Sequence, residues 1–174
     1  MKKWIMPVIA AAIAVIAILV ITGFPFGKKT EPVSDTYPRR NTDGDIVITA
    51  NKLSNDKVSF IKIAEDSKIE LLARIGDDGK VKVALGTCQS CNGSPYAYYT
   101  QEEDLLVCNN CGLTFPISVL DEPGGGCHPI MLPDTILHSS TESAILKTDG
   151  LLKYEYLFVH VGSWLGPRPE GWMR

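Results

Sequence analysis

The chain has 174 residues, 45% of them hydrophobic, with 17 Lys+Arg against 20 Asp+Glu and a formal net charge of −3. That length suits one domain of about 100–150 residues plus an appendage, and the uncharged run from Trp4 to Gly27 argues against a wholly cytosolic protein. Lys and Arg are absent between Lys82 and Lys147, which excludes a nucleic-acid binder, since such proteins gather cations to displace phosphate counterions.

The first element, residues 1–27, reads as a transmembrane helix acting as a signal anchor. Lys2 and Lys3 precede a run of Ile, Val, Ala and Leu about as long as a helix needs to cross the hydrocarbon core. Its apolar core exceeds that of a cleaved signal, and no small-residue cleavage pattern follows it. Lys28, Lys29, Arg39 and Arg40 lie beyond it, so the positive-inside bias does not set the orientation alone. The very short N-terminal tail and its likeness to export signals place the soluble domain outside the cytoplasm, on a single-pass anchor in the cell membrane. Residues 28–44 carry Pro, Ser, Thr, Asn and Asp with no apolar periodicity, which reads as a flexible linker.

The remainder, residues 45–174, reads as a small, mainly β domain with a zinc-ribbon-like cysteine insert. Asp45–Thr49 and Lys57–Ile63 are short and rich in β-branched residues. Lys68–Ile75 and Lys80–Leu85 flank Gly76-Asp77-Asp78-Gly79, and Val81, Val83 and Leu85 alternate with Lys82 and Ala84, as expected of a half-buried hairpin strand. Tyr154–Val161 is a further strand candidate, with His160 as a packed core residue within it.

All five cysteines fall inside the segment without Lys or Arg. Cys88-Gln-Ser-Cys91 and Cys108-Asn-Asn-Cys111 are two CxxC knuckles with sixteen residues between them. Each knuckle brings two thiolates close together, and two knuckles supply the four soft ligands of a zinc site or an iron–sulfur centre. Cys127, approached through Gly124-Gly125-Gly126, is a candidate fifth or exchanged ligand, and His128 beside it is a further candidate for a ligand or hydrogen-bonding role. Two rival readings are disulfides and a thiol–disulfide redox centre. The first leaves an odd thiol. The second wants a nearby cation to stabilise a thiolate, which a bound metal supplies directly. Tyr96, Tyr98 and Tyr99 read as packing around the site, and Glu102-Glu103-Asp104 as a solvated acidic turn.

The succession of CxxC, an aromatic stretch, Leu106-Val107-Cys108-Asn-Asn-Cys111-Gly112 and Gly125-Gly126-Cys127-His128-Pro129 resembles the membrane iron–sulfur-containing FtrD-like family over roughly Asp45 to Leu157. The chain departs from the family at His128, where Asn is expected, and in having one membrane span where larger members have several. The resemblance implies a metal–cysteine redox protein associated with membrane transport, notably of iron. The expectation is an electron-transfer protein, not an enzyme, whose Cys88, Cys91, Cys108 and Cys111 hold an iron–sulfur cluster and whose partner is a membrane transport or redox protein. The alternatives are a structural zinc-ribbon accessory subunit of a transporter and a CxxC dithiol protein.

Overall fold

The computed structural model describes residues 37–162. The expected anchor, residues 1–27, lies outside the described residues, as does most of the expected linker. Among the described residues no helix is long and apolar enough to cross a membrane.

The described chain is mainly β, with three antiparallel sheets. The first contains β1 (Arg39–Arg40), β2 (Ile46–Thr49), β10 (Leu137–Ser139) and β11 (Ser143–Leu146), in the order β1-β2-β11-β10. Pairing therefore begins at Arg39, within the stretch read as linker. The second sheet contains β3 (Ser59–Lys62), β4 (Glu70–Ile75), β5 (Val81–Cys88) and β9 (Pro129–Met131), in chain order. The third contains β6 (Tyr99–Glu102), β7 (Leu105–Cys108) and β8 (Thr114–Pro116). The expected hairpin is present, with Ile75 opposite Val81 and Leu71 opposite Leu85.

The second sheet is buried on both faces, and strand alternation shows why. Successive side chains point to opposite faces. Leu71, Ala73, Val81, Val83 and Leu85 enter one core with Ile46, Ile48, Ala144 and Leu146 of the first sheet. Leu72, Ala84 and Cys88 enter a second core with Tyr99, Leu106 and Cys108 of the third. β5 is thus not half-buried as its pattern suggested. Ala84 is fully covered and Lys82 is partly buried, reaching Asp78 at 3.0 Å. Each such leucine contributes about 1.5–3 kcal/mol by leaving water. Both cores are therefore substantial for a domain of this size.

Two expectations fail at the C-terminal end. Tyr154–Val161 is not a strand: a short helix, Thr148–Leu152, is followed by a 3-10 turn over Glu155–Phe158. Leu151 and Phe158 are buried, with Tyr154, Leu157 and Val161 packed against the same core. Those positions recur every three or four residues, the spacing of a helical face. The aromatic and β-branched composition suggested a strand, but the periodicity is helical. His160 accordingly does not pack in a core; it is exposed.

Candidate metal centre

The five cysteines converge from three segments. Cys88 ends β5 and begins the first knuckle, Cys108 ends β7 and begins the second, and Cys127 lies just before β9. A two-residue connection, Glu103-Asp104, folds β6 onto β7 and sets Tyr99 opposite Cys108. The acidic turn read from the sequence is this hairpin tip. It is exposed, with Glu103 at φ 53°.

The knuckles are held by backbone groups. The Cys91 N–H donates to the Cys88 Sγ at 3.3 Å, and the Gly112 N–H donates to the Cys108 carbonyl at 2.8 Å. Gly93 and Gly112 follow the knuckles at φ 93° and 74°, a conformation that side chains bearing Cβ disfavour. Ser94 Oγ donates to Asn110 Oδ1 at 2.6 Å and joins one knuckle turn to the other. The Ser90 and Gln89 N–H groups donate to the carbonyls of Gly126 and His128, strapping the glycine-rich segment to the first knuckle. Tyr99, 2% exposed, donates its hydroxyl to the Cys127 carbonyl at 2.6 Å.

These straps bring the sulfurs together. Cys91 Sγ lies 3.8 Å from both Cys108 Sγ and Cys127 Sγ, and Cys111 Sγ lies 3.4 Å from Cys127 Sγ. Two sets of three sulfurs are mutually within 4.8 Å: Cys88, Cys91 and Cys108, and Cys91, Cys111 and Cys127. All five are free thiols. Cys88 and Cys108 are buried, whereas Cys91, Cys111 and Cys127 are half-buried and form the outer edge. The site therefore has a sealed side and a side open towards solvent.

The electrostatics are uneven. The Cys88 thiol donates towards Cys108, and the Cys111 and Asn110 backbone N–H groups add to this, lowering the Cys108 pKa to about 5. By the same hydrogen bond Cys88 is pushed up. Burial raises Cys91 and takes Cys111 up to about 12. Cys108 is thus the thiol of the group whose ionisation is most favoured, and Cys88, Cys91 and Cys111 are shifted the other way. Further thiolates form as a metal displaces protons.

The chemistry of the donors fits a soft metal or an iron–sulfur group. Five sulfurs stand together, and amide N–H groups already point at sulfur. Thiolates sharing one tetrahedral metal at about 2.3 Å are about 3.8 Å apart, close to the separations found here. Cys127, outside both knuckles, is as near its neighbours as the knuckle cysteines are to each other. Of the three glycines before it, Gly124 makes a close passage, where a Cβ would collide with the His128 ring, while Gly125 and Gly126 face open space. The His128 ring packs edge-on against Phe115 at 4.7 Å, and its Nδ1 is buried without a hydrogen-bond partner. Tyr99 and Tyr96 are buried, Tyr99 against the site itself.

The Tyr99 hydroxyl gives a direct check on the strapping. Tyr99→Phe should keep the fold and the bound metal while costing about 1 kcal/mol of stability, the usual worth of one hydrogen bond. Chemical denaturation beside metal analysis measures both. A variant as stable as the parent would show that this strap carries no weight.

A family model described as membrane iron-sulfur containing protein, FtrD-like, matches residues 53–156. Neither a curated protein nor a solved structure matches the chain.

Proposed function

The chain belongs to the FtrD-like family of membrane iron–sulfur-containing proteins, and on that premise we propose a membrane-anchored, extracytoplasmic electron-transfer protein. Its cysteines hold an iron–sulfur centre that exchanges electrons with a membrane partner, in iron import or related transport. The observation that carries this reading is the convergence of five thiols from three segments, with one side sealed and one open. An iron–sulfur group bound there supplies one-electron storage. The protein's own contribution is to hold it, keep water from its inner side and leave its outer side within reach of a partner.

In this reading Cys88, Cys91, Cys108 and Cys111 are ligands, and Cys127 serves as a fifth or exchanged one. The buried pair, Cys88 and Cys108, anchors the centre to the second core. The edge at Cys111 and Cys127 is where electrons pass. Leu113, 53% exposed two residues after Cys111, offers an apolar contact beside that edge. The role of carrier asks only for a held redox group and an accessible edge. The proposed membrane partner would meet that edge.

Anaerobic purification tests the reading. Iron with acid-labile sulfide and visible sulfur-to-iron charge-transfer absorption are expected, and reduction should bleach that absorption reversibly. A colourless protein with stoichiometric zinc would replace the electron carrier with a structural zinc ribbon serving a transporter.

The attachment has its own test. The protein should remain in the membrane fraction through salt and carbonate washes, because burial of about twenty apolar residues in lipid is insensitive to ionic strength. Removal of residues 1–27 should release it. A mature product already lacking those residues would show a cleaved signal.

A further inference from the structure

Among the described residues no four of the sulfurs lie mutually within 4.8 Å. Four thiolates on a single tetrahedral metal at about 2.3 Å must all be about 3.8 Å from one another. Among the described residues the mutually close sulfur sets are triads, Cys88–Cys91–Cys108 and Cys91–Cys111–Cys127. Cys91 belongs to both, at 3.8 Å from Cys108 Sγ on one side and 3.8 Å from Cys127 Sγ on the other. The second knuckle is split between them, Cys108 joining one triad and Cys111 the other.

We infer that the five thiolates form a two-metal centre in which Cys91 is the shared ligand, Cys88 and Cys108 completing one metal's set and Cys111 and Cys127 the other's. This rests on the reading above that the cysteines are metal ligands. It adds the number of metal atoms and the role of each thiolate. A thiolate sulfur has lone pairs enough to bind two soft cations at once, and soft cations are those that thiolate sets select.

Charge points the same way. No Lys or Arg lies between Lys82 and Lys147. Four thiolates around one divalent ion, with Cys127 a neutral thiol, leave about −2, whereas five around two divalent ions leave about −1. Uncompensated charge in a part-buried site is costly. The alternative, a single ion with Cys127 left as a spare thiol, would leave that thiol 3.4 Å from the ligand Cys111 with no task.

The test uses the detergent-solubilised full chain, prepared anaerobically and loaded with ¹¹³Cd²⁺, whose resonance reports the sulfur count around each ion. About two cadmium ions per chain and two thiolate-type resonances are expected. Cys88→Ser should shift one resonance, Cys127→Ser the other, and Cys91→Ser both, with uptake falling to about one ion or less. About one ion per chain in the parent protein, with a single four-sulfur resonance indifferent to Cys127→Ser, would overturn the shared thiolate. Because the parent protein's stoichiometry decides, a poorly folding variant does not blunt the test. The two readings also fail separately. Iron and sulfide with one cadmium site leave the electron carrier standing without the shared ligand. Two cadmium sites in a protein that purifies without iron do the reverse.

Discussion

Cys108→Ser is expected to abolish metal binding and to unfold the third sheet, the largest effect of any single change in this chain. Cys108 is fully buried at the end of β7, opposite Tyr99, inside the second core. The Cys88 hydrogen bond and two backbone N–H groups also lower its pKa to about 5, so they favour the thiolate there. A serine hydroxyl is a hard, weakly acidic donor. In its place it would leave those donors facing a neutral group and the metal without its buried anchor. Structural metal sites of this kind are coupled to folding, with apparent binding free energies of about 10–16 kcal/mol in small zinc domains. Most of that coupling should be lost. Metal analysis and near-ultraviolet dichroism should show both losses together, whereas Cys127→Ser, at the outer edge, should lose less structure. Full metal content in Cys108→Ser would remove this residue from the ligand set.

Asp121→Ala should cost about 2–4 kcal/mol, through a charge buried between β4 and the segment after Leu120. Arg74 is 3% exposed and lies on the same face of β4 as Leu72, so its guanidinium sits at the border of the second core. It pairs with Asp121 at 3.0 Å, with Asp77 at 2.8 Å, and donates to the Asn55 carbonyl at 3.1 Å. Asp121 also accepts the Asp77 backbone N–H and so ties the β4–β5 turn to the chain beyond Leu120. Asp77 is 77% exposed, and water competes for that half of the arrangement; Asp77→Ala should cost about 1 kcal/mol or less. Removing Asp121 leaves a buried cation with its better-shielded partner gone. Arg74→Met combined with Asp121→Ala should recover much of the loss, because the stranded charge goes with its partner. Urea unfolding of the three variants measures the order. A double variant no more stable than Asp121→Ala alone would contradict this account.

Much of the local structure was legible in the residues. The Gly76–Gly79 turn between alternating apolar runs is the β4–β5 hairpin because turn chemistry and a period of two are both local properties. The two knuckles were legible for the same reason: CxxC is its own geometry, whatever surrounds it. The family, too, could be named from three cysteine motifs in order, and its model matches residues 53–156.

Other features depended on which surfaces the fold brings together. Composition pointed to a strand at Tyr154–Val161, but Leu151 and Phe158 enter the first core at helical spacing, from a short helix and a 3-10 turn. The β5 pattern looked half-buried because Ala84 and Lys82 alternate with valine and leucine; only a second core beneath that face makes Ala84 an interior residue. Arg74 shows no sign in sequence of its partner, 47 positions away. Cys127 is the sharpest case. Spacing makes it a neighbour of the knuckles along the chain, but the Tyr99, Ser90 and Gln89 hydrogen bonds to the segment around it make it a neighbour in space. Sequence alone thus determined that this chain carries a soft-metal donor set behind an apolar N-terminal run. Tertiary structure decided which sulfurs stand close together, because distances between segments far apart in the chain are set by the packing of the sheets that carry them.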